Sequence, residues 1–533
     1  MTEAGWRTDP LRNVPSSIKH RPRIRSAPFA LRVRRRRGVT TSIANEVTGM
    51  AVPTGEGVKQ PRLVRAAAAP ALVLVLAAAW TLLRGIDHRF ISFSDGVYMY
   101  TASVAAGHGL HELYRGIAVS LPPGTLIGAT LVWKISPSIE SIRLALALAS
   151  GVTALLTYRV ARTLFGLGVA ASVVAALVAL AGPVHAQFVG LEGETFLTPL
   201  ALGLAIALER RRDAACLAIL GLGFLFKLTW APFFVAAMIA LTLRSGWRKA
   251  LAIGGGALIL AFALYAVAVW TSDWSPHQLV VQLLLAQSHS GLQLGVAAGI
   301  LAAVLVIWWP LLLLAAPGWR EAGTSVQLVI GAAAACSLFM VKQGTFFNVL
   351  DPLEPFLAIL AVTGACLLWE RNRPRMRAVV VLCAIGAALH IASVTGGTAA
   401  RVLPLPLGAA IVDTDNETQV DRVAAAIATH SRPDDPVLVS PLFALVADRS
   451  EPAHAVDWFI LRSLERSCGE RTDLDPHCAD WQRAKAGRVA VVGVDSNVTS
   501  FDPLFRRDTG VASLKRILSI DEPPIKTELY AGR

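Results

Sequence analysis

Between Ser92 and Thr125 the chain reads SFSDGVYMYTASVAAGHGLHELYRGIAVSLPPGT. The acid Asp95, the histidines His108 and His111, the tyrosines Tyr98, Tyr100 and Tyr114, Arg115 and the pair Pro122-Pro123 share this one stretch between hydrophobic spans. That is more polar chemistry than a connector needs, and it reads as a catalytic loop. Asp95 stands among apolar and aromatic neighbours that would shield it in part from water. A carboxylate so placed can take the proton of an acceptor hydroxyl as a general base. The plainer reading is that Ser94 or Asp95 caps a helix over Gly96 to Ala106. In the same plain sense Pro122-Pro123 opens a short helix, and Gly107 and Gly109 mark a turn after the preceding one.

A second set of polar residues lies farther along: His185, Gln187, Glu192 and Glu194, then Lys227, then Lys342, Gln343 and Asn348. Ionisable groups near membrane depth are costly, so each asks for a function. Glu192 and Glu194 also suit a helix N-terminus and its dipole. Lys227 and Lys342 end spans that run from inside to outside, against the positive-inside tendency, and a phosphate partner would account for them. The alternative is that both snorkel to lipid headgroups. His277 and His289 flank the apolar run Leu279 to Ala286, which would lie along the membrane interface. No C-x-x-C, H-E-x-x-H or other ligand spacing assigns a metal, and a divalent ion is left open.

The elements that must position these groups follow from composition. Of 533 residues, 54% are hydrophobic and 16% charged, with a mean hydropathy of +0.54, which is the profile of a polytopic membrane protein. The formal charge of +13 does not indicate nucleic acid. Met1 to Arg65 holds 14 Lys and Arg against 4 Asp and Glu and supplies most of it. Residues 1–62, with the run Arg34 to Arg37, are expected to be a disordered basic cytoplasmic tail, and translation could begin at Met1 or Met50.

A transmembrane domain is expected over residues 63–395. Its first span, 65–83, is long enough for a hydrocarbon core of about 30 Å. The piece from Pro122 to Ile135 covers only about 21 Å as a helix and reads as re-entrant or interfacial. It closes a first outer loop over residues 85–138. Later spans are expected at 139–162, 168–188, 195–209, 213–229, 231–244, 249–270, 292–316, 324–341, 351–369 and 377–395. With the short helix not crossing, Arg159 and Arg162, Glu209 to Asp213, Arg244 with Arg248 and Lys249, Arg320, and Glu370 to Arg377 all fall on the cytoplasmic side. That parity gives about eleven spans, an inside N-terminus and an outside C-terminal domain.

Residues 396–533 have the composition of a small soluble α/β domain, with a helix expected at Thr418 to His430 and strands at Pro436 to Val439 and Arg488 to Val494. Asp448, Asp457 and Asp495 read as solvated surface charge. Cys216, Cys336, Cys366 and Cys383 fall in apolar runs and read as small packing residues. Cys468 and Cys478, ten apart, could pair if the domain is extracytoplasmic.

The order of the first-loop features, Asp95, Tyr98, Gly107, Gly109, Leu113-Tyr114 and Pro122-Pro123, resembles the GT-C class of polyprenyl-phosphate-sugar-dependent membrane glycosyltransferases. Within that class it resembles the dolichyl-phosphate-mannose mannosyltransferase-like and aminoarabinose transferase-like families. RTLFG (Arg162 to Gly166), GLEGETFLTPL (Gly190 to Leu200), GFLFKLTWAPF (Gly223 to Phe233) and KQGTFFNVLDPLEPFLAILA (Lys342 to Ala361) are similar too. The resemblance implies an α-helical GT-C-like fold, a lipid-linked sugar donor, and a glycan, lipid or protein acceptor attacked at the extracytoplasmic face; the high Ala, Arg and Val usage points to a bacterial plasma membrane. The resemblance also implies Asp95 as the base, and a cation such as Lys227, Lys342 or Arg115 would then offset the charge on the donor phosphate. Tyr98, His108, Tyr114, Glu192, Glu194, Gln343 and Asn348 would line the site. Some relatives carry a second acid beside the first, whereas here Ser94 and Gly96 flank Asp95. Two other classes fit a chain of this kind: a transporter or flippase of a lipid-linked substrate, and a non-catalytic membrane scaffold. No two-fold internal repeat supports the transporter, and Asp95→Asn would separate the scaffold.

Overall fold

In the computed structural model the described residues are 68–77, 79, 93–114, 121–182, 190–191, 194–277, 279–280, 283, 294–341, 347–371, 373–395, 416–435, 437–449, 490–495, 515–522 and 525–531. All belong to one unit, Pro61–Arg533. The basic tail expected over 1–62 lies outside them.

The chain is a helical bundle carrying a small α/β domain. Ala68–Ala77 (α1) is followed by Phe93–His108 (α2), a 3-10 turn at Leu110–Glu112, and Pro123–Ile135 (α3). Pro123 sits in the first turn of α3, where its missing N–H costs nothing. With 13 residues, α3 covers about 20 Å and does not reach across a hydrocarbon core.

Ile139–Thr163 (α4) starts at Ser138, whose hydroxyl accepts the Ser141 N–H at 3.2 Å. Val169–Leu180 (α5), Glu194–Glu209 (α6), Asp213–Phe226 (α7), Ala231–Ser245 (α8) and Trp247–Thr271 (α9) follow. Then come Leu294–Gly318 (α10), Thr324–Ala335 (α11), Glu354–Glu370 (α12) and Pro374–Thr395 (α13). Among the described residues six helices are long and apolar enough to cross a membrane, with three shorter apolar ones beside them. The protein is multi-pass.

Lipid supplies no hydrophobic drive between helices, so close backbone approach carries much of the packing. A Cβ on Gly318 would lie 2.1 Å from the Leu360 carbonyl, and one on Gly364 would lie 1.8 Å from that of Leu314. α10 and α12 therefore touch backbone to backbone. The bundle core gathers Trp230, Phe233, Leu197, Leu202, Val329 and Phe356 from α6, α8, α11 and α12 and the 3-10 turn before α8.

The two ends of the bundle differ in charge. At one end Arg244 binds the Leu208 carbonyl and the Asp213 carboxylate (2.6 Å), Lys249 pairs with Asp213, and Gly323 lies against the Glu209 carboxylate. Arg162 closes the α4–α5 turn on the Leu167 carbonyl at 2.6 Å. Arg244, Lys249, Asp213 and Glu209 thus share one end of the bundle. Glu194, at the other end of α6 from Glu209, belongs to the opposite end.

The tail holds Asn416–His430 (α14), Val437–Leu438 (β1), Pro441–Val446 (α15), Val491–Asp495 (β2), Lys515–Glu522 (β3) and Ile525–Ala531 (β4). The sheet order is β1-β2-β4-β3; β1 runs parallel to β2 and the other pairs are antiparallel, with a register shift between Arg516 and Leu518. α14 presents Val420, Val423, Ala424 and Ile427, the spacing of one apolar helical face. The helix and two strands expected from sequence are present. The β3–β4 hairpin and α15 were not expected, and Cys468, Cys478 and Asp457 lie outside the described residues. Asp448 adopts φ 53°, in the left-handed region that aspartate tolerates in turns.

Candidate active site

The described residues of the first loop, 93–114 and 121–135, pack at the Glu194 end of the bundle. α2 begins at Phe93, so Ser94 and Asp95 lie in its first turn and do not stand as caps outside it. The side chain of Asp95 is outside the described residues, as are Arg115, Glu192, Lys342, Gln343, His185, Gln187 and His289. α2 ends at His108 and is followed by Gly109, whose φ of 110° only glycine adopts without strain, and a Cβ there would strike the His111 ring at 2.7 Å. Gly107 meets nothing within 4 Å, so of the Gly-x-Gly pair only the second is required by the backbone. His108 is exposed, and the side chain of His111 lies 3.2 Å from that of Glu112.

After this turn the chain is pinned by Tyr114. The residue is fully buried and sits at φ 64°, a conformation costing roughly 1 kcal/mol that its packing must offset. Its hydroxyl donates to the Leu121 carbonyl, immediately before Pro122-Pro123. Burial, with Tyr265 nearby, pushes the phenol well above its usual pKa, so it remains a donor at any working pH. The Trp274 ring meets Tyr114 edge-on at 4.9 Å, and its indole N–H donates to the Leu110 carbonyl at 2.7 Å. Trp274 thus ties the loop after α9 to both sides of the first-loop turn. Leu279 and Leu283 join the same cluster, so this run packs on the loop and not on lipid alone. His277 stays exposed.

On its inner side α2 packs Met99 and Ala102 against Ala129, Ile142, Leu146 and Leu191, with Tyr98 and Phe196 beside them. Phe196 belongs to α6 and stacks on Phe226 at 5.3 Å. This brings the loop over a buried polar network. The carboxylate of Glu194, 2% exposed, takes the ammonium of Lys227, whose side chain is 19% exposed, and accepts from Asn348 Nδ2 at 3.3 Å. Lys227 therefore does not snorkel to lipid, and Glu194 does more than favour a helix dipole. The Thr198 hydroxyl donates to the buried Asp351 carboxylate and lies 3.0 Å from the Glu194 carbonyl. Glu354, fully buried, accepts from the Trp308 indole at 3.1 Å and abuts Gly182. Each of these carboxylates would cost several kcal/mol to bury without such partners.

Of the residues selected from sequence, the structure joins Glu194, Lys227 and Asn348 directly and sets Tyr98 and Tyr114 in the loop above them. It leaves His108 at the surface. Thr198, Asp351, Glu354, Trp274 and Trp308 were missed. Asp351 and Glu354 stood in the quoted stretch Lys342 to Ala361, where they read as the start of a span. Among the described residues no group of three or more His, Cys, Asp or Glu is arranged to hold a metal. Cys216, Cys336 and Cys383 are buried and free, as their apolar runs suggested, and Cys366 is half-buried.

Residues 120–272 match a family model described as dolichyl-phosphate-mannose-protein mannosyltransferase. By sequence, no curated protein matches the chain. In three dimensions it is similar to ArnT from Cupriavidus metallidurans. Against that protein bound to undecaprenyl phosphate the TM-score is 0.59 at 14% identity, covering 86% of this chain and 97% of the other. Against its apo state the TM-score is 0.60 at 14% identity, covering 88% and 98%. At this identity the shared property is the fold, which is the GT-C membrane fold the first-loop pattern led one to expect.

Proposed function

We propose that this chain is a polytopic glycosyltransferase that moves a sugar from a polyprenyl-phosphate donor to an acceptor hydroxyl at the extracytoplasmic face of a bacterial plasma membrane. One observation carries the reading. The fold is shared over nearly the whole length of a protein whose bound molecule is undecaprenyl phosphate.

Asp95 acts as general base: as the acceptor oxygen attacks the anomeric carbon, its proton passes to the carboxylate. The bond from that carbon to the phosphate oxygen breaks, and polyprenyl phosphate leaves with the electron pair. Lys227, Lys342 and Arg115 offset the charge growing on the departing phosphate. Lys227 does so from a fixed position, because Glu194 orients it. Tyr98, His108, Tyr114, Glu192, Gln343 and Asn348 line or shape the site. The donor's own phosphate is the leaving group, so no nucleotide loop is needed. The charge separation between the bundle ends supports a cytoplasmic N-terminus, with the first loop and residues 396–533 outside.

The test supplies membranes containing the full-length chain with a panel of radiolabelled polyprenyl-phosphate sugars and follows label into envelope glycan, lipid and protein. Transfer from at least one donor is expected. Failure with every donor, at verified expression, counts against the reading.

A further inference from the structure

The tail domain meets the first loop at a point that bears on the proposed base. Gly96, next to Asp95 in α2, is buried. A Cβ built on it would lie 2.6 Å from the Leu442 Cβ, 3.1 Å from its Cα and 3.3 Å from its backbone nitrogen. None of these three atoms can swing away by a rotamer change, because each is backbone or fixed directly to it. Leu442 belongs to α15 and is 1% exposed. α15 is itself held: Phe443 and Ala444 return their N–H groups to the Ser440 carbonyl at 2.8 and 3.1 Å. Their side chains enter one apolar cluster with Val437, Val491 and Leu529 of the sheet and with Tyr100, Ala105 and Tyr114 of the loop.

We propose that Gly96 is a positioning residue, at which the backbone of α15 seats on α2 and fixes the turn that carries Asp95. From Met99 onward α2 is packed, with Met99 and Ala102 toward the bundle and Tyr100 and Ala105 toward the tail. A side chain at position 96 therefore tilts the first turn more than the rest of the helix. The tail is then part of the frame of the active site. The inference rests on the reading of Asp95 as the base.

The experiment compares full-length wild type, Gly96→Ala, Leu442→Gly, the double variant and Asp95→Asn in membranes at matched protein levels. It measures kcat and donor KM with the best donor. Gly96→Ala is expected to lower kcat by about tenfold to a hundredfold, the cost of misplacing a reacting group by about 1 Å, with donor KM nearly unchanged. Leu442→Gly is expected to lower kcat in the wild-type chain but raise it in the Gly96→Ala chain, because it removes the colliding Cβ. That reversal of sign is not produced by general damage to the tail. Wild-type kcat in Gly96→Ala, or a double variant no more active than Gly96→Ala, would overturn the proposal. Wild-type transfer by Asp95→Asn would remove the base and the positioning role together, and that variant alone would show it.

Discussion

Replacing Lys227 by methionine removes the cation from a carboxylate that has almost no access to water. Glu194 is 2% exposed, and Asn348 Nδ2 also donates to it at 3.3 Å, a long bond. Breaking one side of a buried ion pair costs about 3–5 kcal/mol. The Lys227 side chain is 19% exposed and Asn348 stays, so the lower figure applies. A loss of ~3 kcal/mol is roughly a hundredfold in the folded-to-unfolded ratio. Replacing both partners, Lys227→Met with Glu194→Gln, strands no charge and should return stability to within ~1 kcal/mol of wild type. The assay is denaturant unfolding of the detergent-solubilised full-length chain by tryptophan fluorescence, run beside sugar transfer. If Lys227 also serves the donor phosphate, the double variant regains stability but not transfer. A Lys227→Met chain within ~1 kcal/mol of wild type, or a double variant no more stable than the single, would refute the reasoning.

Tyr114→Phe should destabilise by about 1–3 kcal/mol, because the buried Leu121 carbonyl loses its donor, and should slow transfer by loosening the approach to Pro122. Because burial keeps the phenol protonated, wild-type stability should show no step from this group between pH 6 and 9, a range set by the ordinary tyrosine pKa of about 10. Thermal unfolding with a pH series checks both points. Gly364→Ala places a methyl where the Leu314 carbonyl lies, and should cost about 1–3 kcal/mol by forcing α10 from α12, measured by the same unfolding.

The membrane spans were legible because hydrocarbon thickness sets their length and hydropathy sets their place. Expected spans at 139–162, 231–244 and 249–270 are observed as Ile139–Thr163, Ala231–Ser245 and Trp247–Thr271. The short helix was legible from its proline start and its insufficient reach. Contacts across the fold were not legible. Lys227 and Glu194 are 33 residues apart and Thr198 and Asp351 are 153 apart, so nothing local pairs them. A span-ending lysine looks alike in sequence whether it snorkels or pairs. The β3–β4 hairpin was hidden by Pro523-Pro524, which departs from the usual hairpin turn signals. α2 starts earlier than expected because Phe93 and Ser94 carry no sign of belonging inside a helix. The approach of Gly96 to Leu442, far along the chain, was not legible either.

The claim on which the account stands is that Asp95 takes the acceptor proton. The most direct measurement is the transfer rate from the best polyprenyl-phosphate donor by membranes holding wild type or Asp95→Asn at equal levels. A fall in kcat of about 10²–10⁴ with donor KM little changed is the predicted result. Equal rates in the two membranes would contradict it.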